Sequence, residues 1–424
     1  MTVIRVVATG SELLTERANA DLFHVGRRLS ALGLGVASAV TVGDDPAAIR
    51  SVLQASVVDA DVVIVSGGLG PTSDDVTVEA TAQAFGRAVR SDPDVLARVR
   101  DYFERRGMAM PELSQRQAAV VDGAVLLPNS VGLAPGEKLQ VGRCVVYLLP
   151  GPPREFAAVF DEQVLPDLKR FQVGFRRELL LRFFGVPETR VEEVLGPVLR
   201  RERRYAEGVT VAFLPHGGLV DVRVVIRGSN ELLIDDEYAH LRNELLQCIQ
   251  AQDAEVSRAF LGEDAVSMEV VLGRMLVERR KTVACAESCT GGLIAHRMTQ
   301  VPGSSRYFRG AVVAYSNDLK ISMLGVKEET IRVHGAVAEK TVQEMVAGVI
   351  RITGAACGIA VSGIAGPEGG SAEKPVGTVW VCVRGGARER TAVHRLRGTR
   401  HEIKEAAALH AMNELRTFLR EDVV

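Results

Sequence analysis

No uninterrupted apolar run in the 424-residue sequence approaches the roughly 18 residues that a bilayer-spanning helix needs. The opening residues, MTVIRVVATGSELL, lack the apolar centre and small-residue cleavage site of a secretory signal, and they read as a strand and a turn. A cytoplasmic protein with no membrane contact is expected. Charge of one sign is also missing: 51 Lys and Arg stand against 53 Asp and Glu, a net charge of −2. Neither a basic stripe nor an acidic tail is present, so direct binding of nucleic acid is not expected. The six cysteines are too few for a disulfide framework in so long a chain. Cys285 and Cys289 have no second Cys or His pair at zinc spacing, and the expectation is two small buried side chains. None of the histidines sits in a patterned position, so a Ser-His-Asp triad finds no support.

What remains is an ordinary globular composition, 47% hydrophobic and 25% charged, long enough for two or three domains. Strand and helix patterns alternate through the first part. TVIRVVATG is a strand running into a turn, and ANADLFHVGRRLSALGL is a helix stopping near Gly33. VASAVTVGDD is a strand, PAAIRSVLQASVVDA a helix opened by Pro46, and DVVIVSGGLGPTSDD a buried strand running into a glycine-rich loop. This is doubly wound α/β order, in which ligands gather at the carboxyl ends of strands. The texture changes near residue 170. GLVDVRVVIRG places Val220, Val222, Val224 and Ile226 on one face, helical patterns flank it, and a small α+β domain is expected over 171–255. DAEVSRAFLGEDA reads as a linker, and a last α/β segment occupies 262–424.

In the first domain, 1–170, Gly67, Gly68 and Gly70 follow a strand directly. Glycines let backbone N–H groups approach an anion, and the next helix N-terminus favours negative charge. Asp74 and Asp75 come immediately after, and carboxylates beside a phosphate need a divalent cation between them. Loop and acids together suggest a metal-assisted nucleotide or phosphate site; a tight turn with Asp74 capping a helix is the structural alternative. PNSVGLAPG and LLPGPPREF are two further turns after apolar strands that could face the same strand ends.

In the last domain, the strand TVACA ends at Glu287, and GLIAHRM begins a helix. Ser288 or Thr290 is therefore either a helix cap or a nucleophile beside free N–H groups. A serine without histidine can use a lysine whose burial leaves it neutral. FRGAVVAYSNDLK supplies Tyr315 and Lys320 just past a strand; alone, each could equally be a strand-end aromatic and a solvated lysine. GIAVSGIAGPEGG ends a buried strand in Ser362 and a loop containing Gly363 and Gly366, suited to a phosphate or a flat ring. Arg400 falls at a helix start, where it could meet an anion.

SGGLGPTSDD, PNSVGLAPG and LLPGPPREF resemble the molybdopterin-binding-like domain of the CinA (competence/damage-inducible) family. AESCTGG, VPGSSRYFRGAVVAYSNDLK, HGAVAEKTVQEM and VSGIAGPEGGSAEKPVGTVWV resemble that family's C-terminal nicotinamide-nucleotide amidase domain. The resemblance implies a three-layer doubly wound first domain that hydrolyses ADP-ribose to AMP and ribose 5-phosphate with a divalent metal ion. It implies an α/β/α last domain that hydrolyses the carboxamide of nicotinamide mononucleotide without metal, and a homodimer. Carried over by position, Gly67, Gly68, Gly70 and Asn129 would hold substrate, and Asp74, Asp75 and Glu12 would lie near the metal, with Glu155 nearby. Ser288 would be the nucleophile and Lys320 its base, with Tyr315 in the lysine's hydrogen-bond network. Backbone around Thr290 and Gly291, or the Ser362 hydroxyl, would hold the oxyanion. Gly291, Gly292, Gly363, Gly366 and Arg400 would bind the nucleotide. The family's GxELLxG and acidic-Thr-Asn segment reads GSELLTERANADLF here: Glu12 is kept and the second glycine is absent. A positive φ at that turn is one that Thr15 would resist.

Overall fold

In the strand Val62–Ser66, successive side chains enter opposite cores. Val63 and Val65 pack with Ile49, Leu53 and Val78, while Val62 and Ile64 pack with Val25, Leu29, Phe156 and Phe160. A strand covered on both faces must be apolar throughout, which is why VVIV does not alternate. The structure, a computed structural model, describes residues 2–16, 18–172, 174–201, 208–251 and 253–421. Val62–Ser66 lies inside a six-stranded sheet ordered Val36–Val42, Ile4–Thr9, Val62–Ser66, Cys144–Leu149, Gly136–Val141, Val125–Leu127. The first four run parallel, and Gly136–Val141 is antiparallel to both of its neighbours, Cys144–Leu149 and Val125–Leu127. Helices Ala20–Ala31 and Pro46–Ser56 form where the sequence places them; Asn19 and Asp45 cap them, and Pro46 occupies the first turn. This is the doubly wound, helix-covered sheet expected of the first domain.

The C-terminal sheet repeats the logic. Its order is Phe308–Val313, Val283–Glu287, Cys357–Gly363, Thr378–Gly385, Arg388–Arg395, with the first three strands parallel. Val283 and Cys285 face helices Met268–Glu278 and Arg400–Arg420, and Ala284 and Ala286 face helix Glu339–Thr353. Small residues on the second face let Val342, Met345 and Val346 approach closely. All six cysteines are free and buried, Cys285 and Cys289 among them, where burial is expected.

The chain divides into two compact units, one holding 2–177 and 226–236, the other 178–201, 209–225 and 237–421. The linker reading of 253–265 is corrected. Asp253 caps a helix, Ala254–Ala259, and Phe260–Glu263 then pairs antiparallel with Phe175–Phe184. Phe184 and Leu261 enter the C-terminal core, so within the second unit the middle sheet shares apolar packing with the last one. Among the described residues no helix is long and apolar enough to cross a membrane.

One buried carboxylate in the first unit has a measurable consequence. Glu137, 2% exposed, accepts the Val121 N–H at 2.9 Å, and burial pushes its pKa up to about 7. Between its ordinary value near 4.5 and 7 the unfolded chain releases a proton that the folded chain keeps, so stability falls as pH rises through that window. The full effect is on the order of 3 kcal/mol. Glu137→Gln keeps an acceptor for Val121 and should flatten this fall. Hydrogen exchange of the first sheet's amides at pH 5 and pH 7.5 measures it, and an unchanged pH dependence in the variant would refute the assignment.

Candidate functional site

Parallel register brings the carboxyl ends of Phe308–Val313, Val283–Glu287 and Cys357–Gly363 together. Ser288 follows the central strand directly, is 7% exposed, and donates its backbone N–H to the Val361 carbonyl at 3.0 Å. A cavity of about 280 Å³ opens there, and Ser288, Tyr315, Lys320, Ser362, Gly363, Gly366 and Arg400 all line it. Segments up to 112 residues apart in sequence (288 to 400) are thus brought to one cleft, as the motifs require.

Lys320 is 1% exposed on the helix Asn317–Ser322. Its Nζ donates to the Ala314 carbonyl at 2.9 Å and the Tyr315 carbonyl at 3.1 Å. Desolvation holds its pKa below the usual 10.5. A neutral amine has two N–H donors and one lone pair. The two carbonyls take both donors, which turns the lone pair over to a further partner. Burial also pushes the neighbouring Cys289 thiol up to about 12, so that sulfur stays protonated and is no rival nucleophile.

Several expected roles change. The Lys320 contact with Tyr315 is to its backbone; the phenol, 58% exposed, instead accepts from Arg400 Nη2 at 2.7 Å. Arg400 Nη1 donates to the Gly366 carbonyl at 2.5 Å. Arg400 begins a helix that Thr399 and Glu402 close with a capping box, which fixes where the guanidinium starts. The Ser362 hydroxyl donates to the Ala336 carbonyl at 2.7 Å, so its proton is already committed and it is not an oxyanion donor as it stands.

The largest correction concerns Thr290, Gly291 and Gly292. Glu287, fully buried, accepts from Thr290 Oγ1 (2.7 Å) and from the amides of Gly292 (3.0 Å), Ile294 (3.1 Å) and Ala295 (2.8 Å). The carboxylate takes the helix N-terminus that the sequence reading assigned to substrate. Thr290, Gly291 and Gly292 line a separate cavity with His296, His401 and Lys404. Gly291 and Gly292 are needed for their backbone, at φ +64° and +96°, and the Gly291 N–H returns to the Ser288 carbonyl. Glu287 had a sequence signal that was overlooked: an acid at a strand end, three residues before a threonine and a glycine pair.

In the first unit, Glu12, Gly67, Gly68, Gly70, Asp74, Asp75, Asn129 and Glu155 line one cavity of about 1230 Å³. The glycines are required by packing: a Cβ on Gly67 would stand 2.5 Å from the Thr9 carbonyl, and one on Gly70 2.4 Å from Asp75 Oδ2. Among the described residues no three His, Cys, Asp or Glu side chains converge as ligands. Asp75 Oδ2 accepts from the amide (2.9 Å) and hydroxyl (2.5 Å) of Thr72, which ties it into its own turn. Asp74 has its pKa lowered, chiefly by the Thr72 hydroxyl. Asn129 and Glu155 bond each other at 2.7 Å, and Asn129 also holds the Ala134 carbonyl, a corner more than a ligand set. The strain expected at Thr15 is absent: Glu12–Thr15 is a helical turn closed by Glu16 at φ −126°, and Gly10 supplies the positive φ.

Comparison with known proteins gives three family matches: a probable molybdopterin binding domain over 5–170, a damage-inducible protein CinA KH domain over 179–252, and the CinA C-terminal domain over 265–419. A CinA-like protein of Thermotoga maritima is 36% identical over 98% of both chains, and one of Endomicrobium trichonymphae is 36% identical over 97% of both. The crystal structure of the competence/damage inducible protein CihA from Agrobacterium tumefaciens matches 37% of this chain and 97% of its own at 37% identity, with a TM-score of 0.34. From the molybdopterin-binding-like sheet to the serine cleft, the chain belongs to the CinA family.

Proposed function

We propose that the C-terminal cleft is an amidohydrolase that converts nicotinamide mononucleotide to nicotinic acid mononucleotide and ammonia. The observation that carries this reading is Lys320: a buried lysine with no carboxylate bonded to it among the described residues, both N–H donors of its neutral form anchored on carbonyls, in one cavity with Ser288. Ser288 Oγ attacks the carboxamide carbon as Lys320 Nζ takes its proton. Collapse breaks the C–N bond, and the same proton passes to the leaving nitrogen, so ammonia departs and an acyl-serine ester remains. Water, deprotonated by Lys320, cleaves the ester and restores the serine. Gly291 N–H and Ser362 Oγ–H are already spent on Ser288 O and Ala336 O, which directs the oxyanion to the turn amides of Cys289 and Thr290. The cationic pyridinium withdraws electrons from the carbonyl, so the chemistry needs no further electrophile.

Arg400 lies in the same cleft with its guanidinium fixed by Gly366 and Tyr315, suited to a 5′-phosphate. Arg400→Ala should raise KM for nicotinamide mononucleotide roughly tenfold or more, with a smaller change in kcat, because a remote phosphate contact binds ground and transition states alike. Nicotinamide riboside, lacking the phosphate, should be little affected; equal losses for both substrates would remove the phosphate role.

For the first unit we propose binding of a phosphorylated nucleoside in the glycine-loop cavity. Asp75 is tied to Thr72 and Glu155 to Asn129, which supports binding over metal-dependent hydrolysis of ADP-ribose. Product analysis of the pure protein with nicotinamide mononucleotide tests the main reading: ammonia release supports it, and its absence would leave a nucleotide-sensing or partner-binding protein instead.

A further inference from the structure

The serine cleft of the second unit holds a charge that the amide chemistry does not use. Among the described residues Glu368 is the one acid lining it, and Lys320 and Arg400 are the two basic side chains. Glu368 is exposed and makes no hydrogen bond or ion pair among the described residues. An exposed glutamate is ordinarily just solvated. This one sits on a loop that is tied down on either side of it. Arg400 Nη1 holds the Gly366 carbonyl at 2.5 Å, and Lys374 Nζ holds the His334 carbonyl at 2.8 Å. The Ser371 N–H donates to the Lys374 carbonyl at 2.9 Å, and the Lys374 N–H to the Ser371 hydroxyl at 3.1 Å. Both cations that anchor the loop spend donors on backbone carbonyls, and neither pairs with the carboxylate. A free negative charge is thereby fixed in the wall of a cavity of about 280 Å³.

A small cavity that keeps an acid and a guanidinium apart suits a ligand bearing both charges. Closing such a cavity takes water from both groups, and a ligand offsets that loss by meeting each with its opposite. Nicotinamide mononucleotide carries this pattern: its phosphate is anionic and its pyridinium ring cationic. With the phosphate at Arg400, the ring is the part left for Glu368. Reduction of the ring to the dihydropyridine removes the positive charge and leaves the carboxamide and the phosphate in place. Glu368 then faces a neutral ring on a molecule whose remaining charge is negative. We infer that Glu368 is the counter-charge of the pyridinium ring and makes the cleft select the oxidised nucleotide over its reduced form. The inference rests on the amidase reading of the cleft. It gives that cleft a means of sparing reduced nicotinamide nucleotides, which carry the same amide.

Calorimetric titration of full-length Ser288→Ala protein with nicotinamide mononucleotide and its reduced form tests it, since that variant stops turnover and both ligands are read as binding alone. At low salt an ion pair at a partly solvated site predicts about fivefold tighter binding of the oxidised form. The preference should shrink toward parity near about 1 M salt; the phosphate is common to both ligands, so their ratio isolates the ring charge. Adding Glu368→Gln should weaken the oxidised form by about fivefold and leave the reduced form within about twofold. A merely structural role for Glu368 would weaken both alike, which overturns the assignment. Should the double variant fail to fold, the salt dependence of the ratio in Ser288→Ala decides alone. Equal affinity for the two forms, or a preference that survives Glu368→Gln, overturns the Glu368 assignment, and ammonia release by the wild type then leaves the amidase standing. Binding of neither form, with no ammonia released by the wild type, overturns the amidase reading and the counter-charge with it.

Discussion

Ser288→Ala should lower ammonia release from nicotinamide mononucleotide by at least about a thousandfold, with nucleotide affinity and thermal stability nearly unchanged. The stability half of this expectation comes from how the turn is built. Its ties are the Ser288 backbone N–H to Val361, the Gly291 N–H to the Ser288 carbonyl, and the four bonds into Glu287. None uses the Ser288 hydroxyl, so alanine removes the nucleophile and leaves the scaffold. The activity half rests on the lack of a substitute in the cleft: the Ser362 proton is bound to Ala336, and the Cys289 thiol has its pKa pushed up to about 12. Single-turnover kinetics on wild type should show ammonia released ahead of nicotinic acid mononucleotide if deacylation is slower, and the variant should show neither phase. A variant retaining more than a few per cent of the rate would exclude Ser288 as nucleophile.

The parts of this architecture that were legible in the sequence are those fixed by local pattern. VVIV without alternation announced a strand buried on both faces, and Pro46 and Gly33 marked helix ends that the structure keeps. The grouping of Ser288, Lys320, Ser362 and Arg400 in one cleft was legible because each followed a parallel strand or opened a helix on the same side of the sheet. What the sequence hid depends on where a side chain turns after the backbone is placed. Glu287 could have faced solvent or substrate; only the 287–295 turn shows that it folds back on four donors and takes the Thr290 hydroxyl out of the chemistry. That Asp21 meets Ser66 was not legible, because the two lie 45 residues apart in sequence. Phe260–Glu263 read as linker since four residues carry too short a period, and its pairing with Phe175–Phe184 is a long-range event. For the acids after the glycine loop the sequence shows adjacency alone, and it does not show that Asp75 turns back to Thr72.

The second large effect is expected at Lys320. Lys320→Met and Lys320→Arg should both reduce turnover by about a hundredfold to ten-thousandfold, the range over which a positioned general base acts. Methionine tests packing: it fills a similar buried volume but cannot take a proton. Arginine tests charge: it stays protonated and so cannot accept from Ser288, and its planar fork does not fit two carbonyls arranged for one ammonium or amine nitrogen. The pH dependence separates a base from a merely structural lysine. Because the neutral form is the active one, kcat/KM should rise with pH through the Lys320 pKa, and desolvation places that rise below 10.5. In both variants the residual rate should lose this rise. The same shift has a stability consequence of known sign: a lysine whose folded pKa is depressed binds fewer protons folded than unfolded, so its burial weighs less on stability as pH rises through the folded pKa toward 10.5. Lys320→Met should therefore be more stable than wild type at neutral pH relative to its standing at high pH, even as it loses activity. An active Lys320→Arg enzyme, or a wild-type profile flat across the alkaline limb, would show that Ser288 is deprotonated by something other than this amine.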